Sequence, residues 1–372
     1  MMDLFQYSIH IILTNQAPTG AYIASPNFPT YHYSWFRDGA FIAYAMDLVD
    51  EHESARRFHD WAAHTILRHA HKARRAIEKV RSGQPLGEDN LHTRYTLEGH
   101  EAQGDWPNFQ LDGLGTWLWA LGQHIQLTDS PLPTNWKTAV SLVTHYLTTL
   151  WSQPCYDLWE EHPNYLHPYT LAAIYAGLRA ANALLPEMGA QTSAAPEEIR
   201  RFVLTQGIKD GHLVKSIALQ PEAEGDCLSE VVDASLLGIA VPYGLLAPGD
   251  PIMQATVTRI ESDLRRDGGG VHRYPGDTYY GGGEWVLLSA WLGWYYAVVG
   301  NIEHARSLQT WVEEQANLNG ELPEQVPVSL NDPAQYHPWV QRWGPIAQPL
   351  LWSHANYLIL RSVLERTPGR SR

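Results

Sequence analysis

Two cysteines in 372 residues, Cys155 and Cys227, are too few for a disulfide framework. Phe is scarce as well, at 7 residues against 15 Trp and 19 Tyr. Basic residues are in deficit: 26 Lys and Arg against 40 Asp and Glu leave a net charge of −14. Binding a polyanion needs Lys and Arg clustered on one face, so this balance argues against a nucleic-acid partner. No run reaches the roughly 20 apolar residues that span a bilayer, and no membrane partner is expected. The N-terminus, MMDLFQYSIHIILTN, has no basic stretch, carries Asp3 and interrupts its apolar residues with Tyr7, Ser8 and His10, unlike a signal peptide. These absences together point to a cytoplasmic protein. Linkers rich in Ser, Thr or Pro and abrupt shifts in composition are also missing, so residues 1–372 read as a single domain. The oligomeric state is not legible.

What is present is a chain with 44% hydrophobic and 18% charged residues, enough apolar surface for a sizeable core. Helical periodicity dominates, with apolar runs near 4–14, 45–50, 56–72, 109–126, 136–151, 170–185, 198–208, 232–245, 252–264, 284–299, 302–316 and 348–365. Strand-like alternation is limited to HLVKSIAL at 212–219. The helices are of two kinds. Glu284–Val299 is apolar nearly all round, as a helix buried on every side must be, whereas 301–316 carries one apolar stripe of Ile302, Ala305, Leu308 and Val312. Inner helices wrapped by outer ones, about twelve in all, are the simplest architecture with this alternation. The chain is therefore expected to be all-α.

Prolines and glycines gather in loops at 17–31, 103–115, 246–251, 266–283 and 319–349, and loops this long usually carry function. Five segments share a composition of Trp, Tyr, carboxylates and Arg: YHYSWFRDG (31–39), GDWPNFQLDG (104–113), YDLWEEHPNYLHPYT (156–170), GGVHRYPGDTYYGGGEW (269–285) and GELPEQV (320–326). Taken singly, each has a local explanation. Arg37–Asp38 reads as a salt bridge or helix cap, Asp112 as a cap, and Arg273 with Asp277 as a structural pair. Together they suit a sugar, which needs aromatic platforms for its apolar face and charged groups for its hydroxyls. Glycoside hydrolysis further needs two carboxylates flanking the scissile bond, one protonated and one ionised. Glu160, in the Trp-flanked pair Trp159-Glu160-Glu161, has apolar surroundings and a like charge that favour the protonated form. Glu324 lies in a Gly/Pro loop with no basic residue near it in sequence.

Several other signals carry no chemistry. His59, His64, His69 and His71 lack the i, i+4 spacing that stacks metal ligands on one helix face and read as a solvated surface. Gly281–Gly283 has neither the strand nor the Lys of a phosphate loop. Cys155 reads as packing, and Asp233 as an N-cap.

The segments YHYSWFRDG, GDWPNFQLDGLGTWLWAL, YDLWEEH, HRYPGDTYYGGGEW, LPEQ and QPLLWSHANYL resemble those of glycoside hydrolase family 15, the glucoamylases and isomaltose glucohydrolases, and occur in the family's order from residue 31 to about 360. The resemblance implies an (α/α)6 barrel and an inverting, exo-acting mechanism that needs neither metal nor organic cofactor. It implies Glu160 as general acid and Glu324 as general base. Arg37 and Asp38 match the pair gripping the distal hydroxyls of the terminal glucose, and Tyr31 and Trp35 match aromatics of that subsite. Trp106 matches a tryptophan hydrogen-bonded near the acid, which Trp159 flanks. Arg273 matches a sugar-binding arginine, and Glu161 and Trp285 match positions around the leaving sugar. Pro323 stands where the family often has a small residue, which predicts a differently held base loop. Neither an N-terminal β-sandwich nor a starch-binding module is recognisable, so a small oligosaccharide is the expected partner. Isomaltose and other α-1,6 oligosaccharides lead, followed by α-1,4 substrates of the glucoamylase type and then trehalose. A non-catalytic sugar-binding protein on the same barrel is the reading from another class.

Overall fold

The computed structural model describes residues 3–188, 192, 194–219, 228–266 and 268–366. These contain thirteen α-helices: α1 (Leu4–Thr14), α2 (Phe36–Leu48), α3 (His52–Arg68), α4 (Ala70–Arg81), α5 (Asp112–Thr128), α6 (Thr134–Leu150), α7 (Pro168–Leu184), α8 (Ala194–Gln206), α9 (Pro251–Leu264), α10 (Val286–Val298), α11 (Ile302–Glu314), α12 (Pro333–Trp343) and α13 (Leu351–Arg366). Helix α2 packs on α5, α5 on α7, and α7 on a 3-10 segment, Ala234–Ile239; this segment meets α10, α10 meets α13, and α13 returns to α2. Six inner segments thus close a ring. Outside it, α1 lies on α13, α3 on α2, α6 and α8 on α7, α9 on the 3-10 segment, and α11 on α10. The expected (α/α)6 barrel is present, with α4 and α12 added to it.

The two layers follow from the two helix types. On α10 the residues Val286 to Tyr295 are buried without interruption, while α11 buries only Ala305, Leu308 and Val312. The closest inner crossing is between α5 and α7, where a Cβ on Gly115 would stand 2.6 Å from the Ala173 backbone and one on Gly177 2.4 Å from the Gly115 carbonyl oxygen. Only glycine allows these backbones to touch.

Several boundaries differ from the sequence reading. The run at 45–50 is only the end of α2, whose polar start (Arg37, Asp38, Gly39) is buried and so carries no amphipathic signal. The run at 56–72 is two helices parted at His69. The run at 232–245 holds the 3-10 segment rather than an α-helix, and Pro242, which cannot donate a helical hydrogen bond, stands three residues beyond its end. Helix α12 lies inside the stretch read as a 319–349 loop, disguised by Pro338. HLVKSIAL divides into two-residue strands: His212–Leu213 pairs with Ile208–Lys209, and Ile217–Ala218 with Tyr165–Leu166.

His64 and His71 are exposed, as a solvated surface requires, but His59 and His69 are buried. His59 packs against His124 of α5 and Trp136 of α6, so it meets neighbouring helices rather than water. Cys155 is a buried free thiol, and Cys227 lies outside the described residues. No helix among the described residues is long and apolar enough to cross a membrane.

Candidate active site

The first four aromatic–acidic segments lead directly into inner helices α2, α5, α7 and α10, and the fifth pairs with the entry to α10. All inner helices therefore present their N-terminal ends to one end of the barrel, where a cavity of about 380 Å³ opens. Every one of the expected site residues lines it: Tyr31, Trp35, Arg37, Asp38, Trp106, Trp159, Glu160, Glu161, Arg273, Trp285 and Glu324.

Glu160 sits in a tight loop. Its amide donates to the Asp157 carbonyl at 3.0 Å, the Asp157 amide donates to the Glu161 carbonyl at 2.9 Å, and Glu160 itself has φ 68°. A non-glycine residue in this left-handed region is strained, a condition found where the surroundings over-determine a functional side chain. The Glu160 carboxyl is half-buried, and its Oε1 accepts from Trp35 Nε1 at 2.8 Å and from Gln110 Nε2 at 3.1 Å.

Glu324 is held from the other side. Its amide donates to the Ala347 carbonyl at 2.9 Å, and Gln325 pairs with Trp285 in a two-residue antiparallel ladder. Next to it, the Pro323 carbonyl accepts from Ser353 Oγ at 2.8 Å and the Leu322 amide donates to His354 Nε2 at 3.0 Å. Glu324 Oε1 accepts from the Tyr31 hydroxyl at 3.0 Å, while Oε2 is buried with no hydrogen-bond partner among the described residues. Burial pushes the Glu324 carboxyl up to about 8, against the Tyr31 and Tyr279 hydroxyls and the Arg273 charge, which favour ionisation. The Tyr31 and Trp35 rings stand edge to face, 5.6 Å apart, so this aromatic pair separates the two carboxylates.

At the floor, Arg37 and Asp38 occupy the first turn of α2. The Arg37 guanidinium donates to Gln110 Oε1 at 2.9 Å and to Asp112 Oδ2 at 3.1 Å, so Asp112 serves as its counter-ion and makes no cap hydrogen bond. Asp38 Oδ2 is 3.5 Å from Arg37 Nε, but neither atom makes a hydrogen bond. Burial pushes the Asp38 carboxyl up to about 6, offset by Arg37, and its Oδ2 is an unused acceptor. Because Arg37 keeps Asp112 and Gln110, Asp38→Ala is expected to fold normally yet lose about 2–4 kcal/mol of transition-state binding, or roughly 30- to 1000-fold in kcat/KM. Thermal melting beside initial rates on isomaltose checks both halves; near-normal kcat/KM, or an unfolded variant, leaves only a structural salt bridge.

The sequence model of glycosyl hydrolases family 15 matches residues 2–337. The chain belongs to this family. It is 39% identical to the isomaltose glucohydrolase of Kribbella flavida, over 98% of this chain and 94% of that protein. A wild-type glycosidase structure at 39% identity superposes with a TM-score of 0.91, covering 98% of this chain and 97% of that one. A bacterial glucoamylase complexed with acarbose, 21% identical, shares the fold at a TM-score of 0.74 over 97% of this chain and 55% of its own. The chain is a glycoside hydrolase.

In this family 15 site the indole that reaches Glu160 is that of Trp35. Trp106, expected in that role, has a buried Nε1 without a hydrogen-bond partner; its ring lies under Arg94, whose guanidinium carbon stands 3.5 Å from the ring centroid. Burial drives the Glu324 carboxyl, the more enclosed of the two, towards protonation. Arg273 pairs with Asp277 through two nitrogens, lines the cavity and also reaches Glu161 at 3.5 Å. Trp159 packs on Trp285 with centroids 5.2 Å apart.

Sequence reasoning missed Gln110, Tyr279, Trp352 and the α12 face of Trp339, Arg342 and Trp343. Tyr279 hydrogen-bonds Tyr31 at 2.9 Å, and Trp339 packs edge-on to Tyr279 at 4.9 Å. Trp339, Arg342 and Trp343 line the cavity together. Their i, i+3, i+4 spacing was the available signal.

Proposed function

We propose that the chain is an inverting exo-acting α-glucoside hydrolase releasing β-glucose from the non-reducing end of isomaltose and short α-1,6-linked oligosaccharides. The observation that carries this reading is one cavity lined by two carboxylates from separate loops, with a charged pair at its floor. The terminal glucose sits on Arg37 and Asp38, and the inner-helix core beneath them accounts for exo action. Glu160 gives its proton to the departing glycosidic oxygen. Water attacks the anomeric carbon from the opposite face and passes its proton to Glu324, whose Oε2 is free to take it while Oε1 stays on Tyr31. Acid–base hydrolysis of this kind calls on no cofactor.

The α-1,6 preference rests on the Kribbella flavida relative, and the α12 face of Trp339, Arg342 and Trp343 adds aromatic and cationic lining to the cavity for the leaving sugar. Residues 1–372 act as one catalytic unit, and the low cysteine count suits the cytoplasm. Isomaltose, maltose, nigerose, kojibiose and trehalose assayed side by side, with NMR of the first anomer released, test the proposal. The expected result is fastest release from isomaltose with β-glucose appearing first. Initial α-glucose rules out inversion, a preference for maltose or trehalose moves the linkage, and no release from any sugar leaves a binding protein.

A further inference from the structure

One buried side chain that this mechanism does not use touches three supports of the acid loop. Lys215 is 3% exposed, and its Nζ donates to Asp157 Oδ2 at 2.7 Å and to Asp233 Oδ2 at 2.8 Å, while lying 4.2 Å from the Tyr274 ring centroid. Each of those three neighbours holds residues 159–161. Asp157 Oδ1 accepts the amides of Trp159 at 3.0 Å and Glu161 at 2.9 Å. Asp233 Oδ2 also accepts from Trp159 Nε1 at 2.9 Å, and the Tyr274 hydroxyl donates to Glu161 Oε2 at 2.6 Å. The strand after Lys215, Ile217–Ala218, pairs with Tyr165–Leu166, the chain leaving the loop. Asp233 in turn caps the fourth inner segment through Ser235.

The electrostatics require the ammonium. Asp157 and Asp233 are both buried, and enclosing two carboxylates side by side is costly without a cation between them. Burial opposes the Asp157 charge, yet Lys215 and hydrogen bonds hold its carboxyl at about 2. Charged acceptors grip backbone amides more strongly than neutral ones. Glu160, between the two gripped amides, keeps a φ of 68° that an unsupported loop would relax.

We propose that Lys215 is a positioning residue for the general acid: through Asp157, Asp233 and Tyr274 it fixes the peptide that carries Glu160, without touching substrate. The inference rests on the reading of Glu160 given under the proposed function. It calls for a readout that simple loss of structure would not give, and dependence on the leaving group supplies one. Lys215→Met keeps the length and removes the charge. Its kcat on isomaltose is expected to fall about 100-fold, the scale set by misplacing a catalytic group by about an ångström, with KM within a few-fold of the parent. On α-glucosyl fluoride, whose departure needs little protonation, the loss is expected to stay below about tenfold. Equal losses on the two substrates, or an isomaltose kcat within about twofold of the parent, overturn the proposal. If Lys215→Met does not fold, Asp233→Asn keeps the Lys215–Asp157 pair and decides the matter by the same split. Glu160→Gln runs in parallel. If it shows the split and the Lys215 or Asp233 variant does not, only the positioning role fails; if it shows none, the reading of Glu160 fails and takes this inference with it.

Discussion

Glu324→Gln is expected to lose at least about 10³-fold in kcat on isomaltose and a comparable factor on α-glucosyl fluoride, within the range ascribed to general acid–base groups. An amide cannot take the proton of the attacking water, and a better leaving group does not supply a nucleophile. The buried, unpartnered Oε2 is the atom lost, while Gln retains an oxygen to accept from Tyr31. Substantial recovery on the fluoride would move Glu324 to another role.

The same substitution should stabilise the fold. Burial holds the Glu324 carboxyl at about 8, above its value in the unfolded chain, so the native state binds this proton more tightly. As pH rises from the ordinary carboxylate range towards 8, the unfolded state releases the proton first and stability declines. Gln has no proton to release, so denaturant unfolding should find Glu324→Gln level with the parent near pH 4 and more stable by roughly 2–4 kcal/mol near pH 8. A gap that does not open with pH contradicts the burial argument. In the parent, kcat/KM needs ionised Glu324, so its acidic limb should fall above the usual carboxylate range.

Barrel and site were legible to different degrees. The alternation of all-round apolar helices such as α10 with striped ones such as α11 was enough for two layers, because burial on one side or on all sides writes itself into periodicity. The start of α2 was not legible, since Arg37 and Asp38 are buried for chemistry rather than packing and break the pattern where the site begins. All residues matched by family motif line the cavity, but local sequence could not tell which indole faces Glu160. That depends on Arg94, which lies outside the quoted segments, covering the Trp106 ring. Lys215 was hidden for a like reason: its partners Asp157 and Asp233 are 58 and 18 residues away. The α12 face was visible as a pattern, yet only the fold carries it to the mouth of the cavity.

Glu160→Gln is expected to separate the two carboxylates by role. A general acid matters most when the leaving oxygen is poor and little when the leaving group departs unaided. Loss on isomaltose should reach about 10²- to 10⁴-fold, and loss on α-glucosyl fluoride should remain below about tenfold. The fold should be unaffected, because Gln still offers an oxygen to Trp35 Nε1 and the loop backbone is held through Asp157. Glu161→Gln is the control for register. Its carboxyl is engaged by Arg273 and Tyr274 at the cavity wall, so it should alter KM for the leaving sugar without the dependence on leaving group. If Glu161→Gln shows the acid's pattern while Glu160→Gln stays active, the proton donor is one residue later, and the strained backbone at Glu160 serves to present Glu161 instead.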